Sequence, residues 1–341
     1  EYVVEDKPLG TAGAVEQLSA DIDEAFIVFY GDVFMDFYLP DFIDFSLKKK
    51  GIANLFVHPN DHPHDSDLLE TDKDNKITAF YPKPHNKDEY HHNLVSAAAY
   101  VLFPGIFPYI PKGQASDFGR DIFSKIINGP EPLFAYKSSE YVKDIGTPSR
   151  LEEVLKDIEN EKPQRRNKER KQCCIFLDRD GVINFDKDGG INSADEFELI
   201  PGTAEAIRKV NKSDFLVIVI SNQAGIAKGF LSFDELERIH KKMESLLGLE
   251  GAYLDGIYFC PHHPESGFEG EIKELKKECA CRKPKPGMFL NASQDFNIDL
   301  HLSYMIGDRE TDILAGNKAD LKKAFLIGNF NSLSDLIDYI L

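Results

Sequence analysis

Short apolar runs alternate with helical patterns through the second half of the chain. The runs at 173–177, 215–220, 253–259, 303–307 and 323–327 read as strands, and residues 202–211, 232–247, 286–296 and 310–318 fit helices between them. That alternation implies a parallel sheet with helices on both faces, in which ligands bind beyond the carboxyl ends of the strands. In the first half, Pro8 to Ala14 is a Gly/Ala-rich turn leading into a helix, and Phe26 to Tyr30 reads as a strand ending in Gly31-Asp32. Thr147-Pro148-Ser149 opens a helical pattern that carries Leu151, Val154, Leu155 and Ile158 at helical spacing. Between the halves, residues 160–172 (NEKPQRRNKERKQ) hold no large apolar side chain. Such a stretch buries too little surface to offset its ordering entropy, which predicts a polar linker between domains at 1–159 and 173–341 that behave independently.

Composition sharpens the picture in three ways. The formal charge of −18 over 341 residues is spread along the chain, which argues against nucleic acid or an anionic membrane as the main partner, yet leaves room for small phosphorylated substrates. No apolar run is long enough for a transmembrane helix. The five cysteines are an odd number, and three of them lie in a metal-like arrangement rather than a disulfide framework, which points to the cytoplasm. The chain opens on Glu1 in the middle of a pattern and reads as a fragment, or as a chain whose true start was lost, so a signal peptide upstream stays open.

The candidate chemistry sits where the strands end. The first strand of the second half runs into Asp178-Arg179-Asp180-Gly181, which taken alone fits a surface turn about as well as a site. The second runs into Ser221-Asn222-Gln223, small donors that suit an anion and equally suit an ordinary turn. A later strand ends in Asp308, with Asp312 one helical turn on, where an N-cap is the competing reading. Arg282-Lys283-Pro284 places two cations between them. A further pattern is Cys260-x-His262, sixteen residues, then Cys279-x-Cys281. Three thiols and an imidazole make a closed tetrahedral Zn²⁺ set, structural rather than catalytic, with His263 able to stand in for His262. Cys173 and Cys174, in the first strand, read as plain core residues.

In this order, the strand-end carboxylate pair, the hydroxyl and amide turn, the basic loop and the later carboxylate resemble the haloacid dehalogenase superfamily of phosphatases, over essentially all of 173–329. The resemblance implies that Asp178 is a nucleophile taking the phosphoryl group as an acyl phosphate and that Asp180 is its general acid and base. It implies Mg²⁺ held by the Asp178 and Asp308 side chains and the Asp180 carbonyl, phosphoryl oxygens bound by Ser221, Asn222 and Lys283, and a less defined role for Asp312. The stretches FLDRDGVIN, ISNQAGIAKG, CPHH, CACRKPKPGM and MIGDRETD narrow the resemblance to the zinc-loop phosphatases, which include the D-glycero-D-manno-heptose-1,7-bisphosphate and histidinol-phosphate phosphatases. Only 43 positions separate Asp178 from Ser221, which leaves no room there for a large cap, so the zinc loop and the loop 184–200 border the substrate. Arg282 is the candidate for a second anionic or polar group on it.

The first half resembles the sugar-1-phosphate nucleotidyltransferases through Pro8 to Ala14, Gly31-Asp32, Tyr81-Pro82-Lys83-Pro84 and Asp144-Ile145-Gly146. This implies a Rossmann-like α/β domain with Asp32 and Asp144 sharing a Mg²⁺, Lys83 on the sugar phosphate, and Gly10, Thr11 and Ala12 against the nucleotide. Two departures stand out. The family's opening Gly-rich loop with its Arg and Lys is not in the chain, and Pro82 stands where the family has an acidic residue. The domain is therefore expected to be incomplete, with poor nucleotide binding and an exposed sheet edge where the first strand belongs. Together the two resemblances imply a fusion making nucleotide-activated heptose with a guanylyl donor; a histidinol-phosphate phosphatase, or a scaffold with a degenerate transferase domain, are the alternatives.

Overall fold

The computed structural model describes residues 2–86 and 89–341. The chain divides into a first unit that ends at Asn160 and a second that runs from Glu161 to Leu341, the second also taking in Pro59–His62 and Tyr90–Asn93.

The first unit is a mixed sheet flanked by helices. Its strands are β1 (Phe26–Phe29), β2 (Val33–Asp36), β3 (Ala53–His58), β4 (Leu68–Thr71), β5 (Ile77–Tyr81), β6 (Val95–Leu102), β7 (Leu133–Lys137) and β8 (Tyr141–Asp144). The main sheet runs β5-β4-β6-β3-β7, with β1 antiparallel to β6, and β2 and β8 form a separate antiparallel ribbon. Among the described residues β1 has no partner but β6, and Phe29 at its end is 50% exposed, so an open edge lies where the sequence predicts one. The helix Pro148–Glu159 forms as its periodicity requires, capped by Thr147, whose hydroxyl accepts from the Arg150 N–H. Of its apolar face only Val154 is buried; Leu151 and Leu155 stay exposed.

The second unit is a five-stranded, all-parallel sheet. Its strands are β9 (Cys173–Leu177), β10 (Phe215–Asn222), β11 (Gly256–Cys260), β12 (Tyr304–Gly307) and β13 (Lys323–Leu326), in the order β11-β10-β9-β12-β13. Successive side chains on a strand face opposite ways, and the core divides accordingly. Ile175, Leu177, Val217, Val219 and Ile306 pack with helices Thr203–Lys212, Phe233–Leu249 and Leu333–Ile340. Cys174, Phe176, Leu216, Ile218, Ile220 and Met305 pack on the other face, with helices Gly287–Phe296 and Glu310–Lys318. Each fully buried Ile, Leu or Phe contributes about 1.5–3 kcal/mol. Cys174 joins this core as expected, whereas Cys173 is only half-buried.

Three differences from the sequence reading have physical causes. The strand expected at 253–259 begins at Gly256, because Asp255 is drawn aside: its carboxylate accepts from the Val217 N–H at 2.8 Å and from Arg166 Nη2 at 3.0 Å. β10 runs two residues beyond 220, so Ser221 and Asn222 are ladder residues paired with Phe259 and Cys260. Of the polar stretch 160–172, residues 161–172 are ordered structure of the second unit, with a helix at Lys162–Arg166, both Pro163 and Arg166 buried, and Gln172 bonded through its backbone to Asn297 and Asp299. A guanidinium can be buried when a carboxylate and a carbonyl receive it, and here Asp255 and the Phe215 carbonyl do so. Among the described residues no helix is long and apolar enough to cross a membrane.

Removing one partner of a buried pair strands the other's charge. Arg166→Met should therefore lower the unfolding free energy by about 3–5 kcal/mol in a denaturant titration. A loss under about 1 kcal/mol would mean that the pair behaves as a surface one.

Candidate active site and metal centre

Asp178 follows β9 directly, and its own N–H is tied to the Ile306 carbonyl of β12 at 2.9 Å. This fixes it between two neighbouring strand ends. Its Oδ1 accepts from Lys283 Nζ at 2.9 Å and from the Arg179 N–H at 2.8 Å. Lys283 is 2% exposed, and its ammonium also reaches Asp312 Oδ1 at 2.6 Å and the Ile220 carbonyl at 2.8 Å, so all three of its protons are placed. Burial pushes the Asp178 carboxyl up to about 6; Lys283 opposes this, and the neighbouring Asp312 and Asp180 add to it. Burial would lower the Lys283 ammonium, but Asp178 and Asp312 hold it above its ordinary value.

Two glycines permit this density. A Cβ on Gly307 would lie 2.3 Å from Asp312, and one on Gly181, at φ +78°, would lie 2.7 Å from Asp308 Oδ2. Either would force apart the carboxylates that the site brings together. Asp178, Asp308 and Asp312 offer carboxylate oxygens within 4.8 Å of one another. Asp308 Oδ1 is buried with no hydrogen-bond partner, an atom whose desolvation a cation would compensate. Both Asp312 oxygens are already engaged, by Lys283 and by the Arg309 N–H. This donor set fits a hard divalent ion held chiefly by Asp178 and Asp308. Burial holds the Asp308 carboxyl above its ordinary value.

Asp180 points elsewhere. Its Oδ1 accepts from Arg179 Nε at 3.1 Å and Asn184 Nδ2 at 2.9 Å, and its Oδ2 from Arg179 Nη2 at 3.0 Å and Gln223 Nε2 at 3.1 Å. Burial opposes ionisation, but the Arg179 charge and these hydrogen bonds from Asn184, Arg179 and Gln223 hold the carboxyl below its ordinary value. Its side chain is outside the acidic cluster, so any metal contact from Asp180 falls to its carbonyl.

Of the other expected residues, Ser221 is buried at the pocket floor, where its hydroxyl accepts from Gln223 Nε2 at 2.7 Å. Asn222 has its side chain engaged with the protein itself. Its amide clamps the Lys283 backbone, donating to the carbonyl at 3.1 Å and accepting from the N–H at 3.0 Å. Asn222 also lines the cleft. Arg282 lines the pocket and donates to the His262 carbonyl at 3.3 Å. The sequence pattern assigned no role to Arg179 or Asn184 and read Gln223 only as one donor of a turn, although an Arg between two strand-end aspartates was a visible signal.

A cleft of about 440 Å³ opens over Asp178, Asp180, Ser221 and Lys283. The loop 186–192, Lys228, Phe230, Arg282 and Arg309 border it. Arg309 is occupied by Asp186 at 2.6 Å.

The zinc-type ligands converge as their spacing predicts. Cys281 Sγ lies 3.2 Å from Cys260 Sγ, 3.3 Å from Cys279 Sγ and 3.4 Å from His262 Nδ1. Cys260 lies 3.6 Å from both Cys279 and His262. These separations are too long for disulfides and suit the edges of a tetrahedron around one thiophilic ion. His263 instead stacks edge-on against Phe268, so His262 is the imidazole the structure brings in. Burial raises the Cys260 thiol, whereas for Cys279 the hydrogen bonds from Cys281 and the Arg282 N–H outweigh burial and lower it.

In the first unit, Gly10 takes φ +73°, and a Cβ there would meet the Ser116 carbonyl at 2.6 Å. The Ala12 N–H donates to that carbonyl, and the Thr11 hydroxyl donates to Asp117 at 2.7 Å. Asp32 and Asp144 come to one end of the β2–β8 ribbon, where Ile145 N donates to the Asp32 carbonyl. Asp144 is bonded by Arg150 at 2.6 Å. Lys83 lies on Asp65, and among the described residues no contact joins it to Asp32 or Asp144.

Comparison with known proteins divides along the same lines. The nucleotidyl transferase family model matches residues 1–161, and a HAD-hydrolase-like model matches 280–337. A D-glycero-beta-D-manno-heptose-1,7-bisphosphate 7-phosphatase of Pasteurella multocida is 42% identical over 154 residues, which are 45% of this chain and 80% of the relative. The corresponding alpha-specific phosphatase of Burkholderia mallei is 43% identical over 157 residues, 46% of this chain and 80% of its own. A crystal structure of D,D-heptose 1,7-bisphosphate phosphatase from B. bronchiseptica, complexed with magnesium and phosphate, is similar at TM-score 0.44 and 30% identity over 50% of this chain and 98% of that one. Through its C-terminal half, the chain belongs to the D-glycero-D-manno-heptose-1,7-bisphosphate 7-phosphatase family, and its N-terminal half carries a nucleotidyl transferase domain ahead of it.

Proposed function

We propose that the second unit hydrolyses the 7-phosphate of D-glycero-D-manno-heptose 1,7-bisphosphate through an aspartyl-phosphate intermediate on Asp178. The observation that carries this reading is the buried Lys283 ammonium between Asp178 and Asp312, at the floor of an open cleft. Lys283 occupies Asp178 Oδ1, and the other carboxylate oxygen is the one for attack on phosphorus. As the Asp178–phosphorus bond forms, the bond to the sugar oxygen breaks, and that oxygen takes a proton from Asp180. In the return step a water oxygen bonds to phosphorus, its proton goes to Asp180, and the bond to Asp178 breaks to release phosphate. Lys283 and Ser221 meet the phosphoryl oxygens as charge spreads over them.

Mg²⁺ fits the Asp178 and Asp308 side chains with the Asp180 carbonyl; when bound, it offsets the repulsion between anionic nucleophile and anionic phosphate. Zn²⁺ fits Cys260, His262, Cys279 and Cys281, and there it pins the loop that carries Arg282 and Lys283. Among the described residues Arg282, Lys228 and Lys187 line the cleft without a carboxylate partner, which suits the second phosphate of a bisphosphate. Relatives named for either anomer match about equally, so the anomer is left to measurement. Transfer of a nucleotide, with a guanylyl donor, to the sugar 1-phosphate left by the phosphatase is proposed for the full-length protein, with the first unit supplying part of that domain. The five cysteines, all in the second unit and none in a disulfide, suit a reducing compartment, and we propose a cytoplasmic protein with no nucleic-acid or membrane partner.

Two outcomes test this. Phosphate release with Mg²⁺ should favour the heptose bisphosphate over histidinol phosphate, and Asp178→Asn should reduce it by about a thousandfold or more. Retention of full rate by that variant would sink the mechanism. Stripping the thiolate-bound metal, or Cys279→Ala, should lower the melting temperature by about 5 °C or more, because binding and loop folding are linked. Elemental analysis should find one zinc per chain in the parent and none in the variant.

A further inference from the structure

Arg179 is 0% exposed, although it stands between two residues that line an open cleft. A buried guanidinium normally satisfies its five donors on backbone carbonyls or on several partners. Among the described residues this one reaches no backbone carbonyl and only two side chains. Nε and Nη2 both converge on the Asp180 carboxylate, Nη2 also reaches Gln223 Oε1 at 3.3 Å, and Nη1 is buried with no partner. Among the described residues its side chain bonds to nothing in the sheet or the helices behind it. Gln223 carries the arrangement onward. Its amide nitrogen donates both to Asp180 Oδ2 at 3.1 Å and to the Ser221 hydroxyl at 2.7 Å, joining the carboxylate to the phosphoryl pocket. Asn184, also fully buried, closes the third side at 2.9 Å.

We infer that Arg179, with Gln223 and Asn184, is a positioning device that fixes the direction from which the Asp180 carboxyl exchanges its proton with the leaving oxygen and with water. The inference rests on the proposed reading of Asp178 and Asp180 and goes beyond it, by making the bound orientation of Asp180 the property on which proton transfer depends. Arg179 touches neither the substrate nor phosphorus. It acts through Asp180 alone, and its loss should be felt only where the proton matters.

That restriction supplies the test. An alkyl leaving oxygen must be protonated as its bond to phosphorus breaks, whereas p-nitrophenolate leaves without a proton. In Arg179→Met, single-turnover transfer from the heptose bisphosphate should fall by about a hundredfold, while the nitrophenolate burst from p-nitrophenyl phosphate stays within about threefold of the parent. Hydrolysis of the phosphoenzyme should slow in both cases, because water then needs Asp180 as base. Should Arg179→Met fail to fold, Gln223→Leu leaves the buried charges paired and should show the same contrast at about tenfold. Equal loss for both leaving groups, or no loss for either, in whichever variant folds, would overturn the inference. A parent enzyme unable to use the heptose bisphosphate would overturn the substrate reading instead. The contrast would then be measured between p-nitrophenyl phosphate and an alkyl phosphate that the enzyme accepts.

Discussion

The second unit is organised around one buried ammonium. Lys283 lies between Asp178 and Asp312, with the Ile220 carbonyl taking its third proton. Two carboxylates this close and this buried would repel each other and lose their solvation; with the cation between them, the group carries one net negative charge instead of two. Much of the surroundings serves to hold that ammonium. Asn222 clamps its backbone, the cysteine cluster anchors the loop two residues upstream, and Gly307 lets the Asp312 side chain approach the strand end. The open sheet contributes the rest, because the four segments meet only where parallel strands terminate on one side.

The parts of this arrangement that are local in sequence are legible there. Asp178 follows an apolar strand, the thiol and imidazole spacing declares a tetrahedral set, and the helix 310–318 has the same bounds in pattern and in structure. What the chain does not declare depends on residues far apart. The stretch 160–172 looks too polar to fold, and it is ordered because Asp255 waits under Arg166. Asn222 reads as an anion donor, yet its partner is the backbone of a residue that only the folded sheet brings near. Arg179 looks like a surface charge between two acids, and its burial follows from Asp180, Gln223 and Asn184 surrounding it. Polar residues are ambiguous for a simple reason: their position depends on whether a distant partner compensates their desolvation.

The first unit shows a different balance. Its expected groups are drawn together only in part: Asp32 and Asp144 share a ribbon end, while Lys83 is bonded elsewhere. Its core is nevertheless well formed around Leu55, Tyr100, Phe118 and Phe123, with aromatic rings at edge-to-face and stacked angles. Burial of that kind sustains a fold whether or not every polar group at its rim is in place.

The strand order has a temporal consequence. β9, which carries Asp178, lies at the middle of its sheet, and its neighbour β12, which leads to Asp308 and Asp312, is among the last strands made. Parallel neighbours of this kind are joined by long-range contacts that form late. During synthesis, a chain lacking β12 therefore holds Asp178 without its acidic companions, flanked on one side by an unfilled gap. The acidic cluster is complete only with the closing segment, so its assembly reports on completed folding of this unit and not merely on its presence.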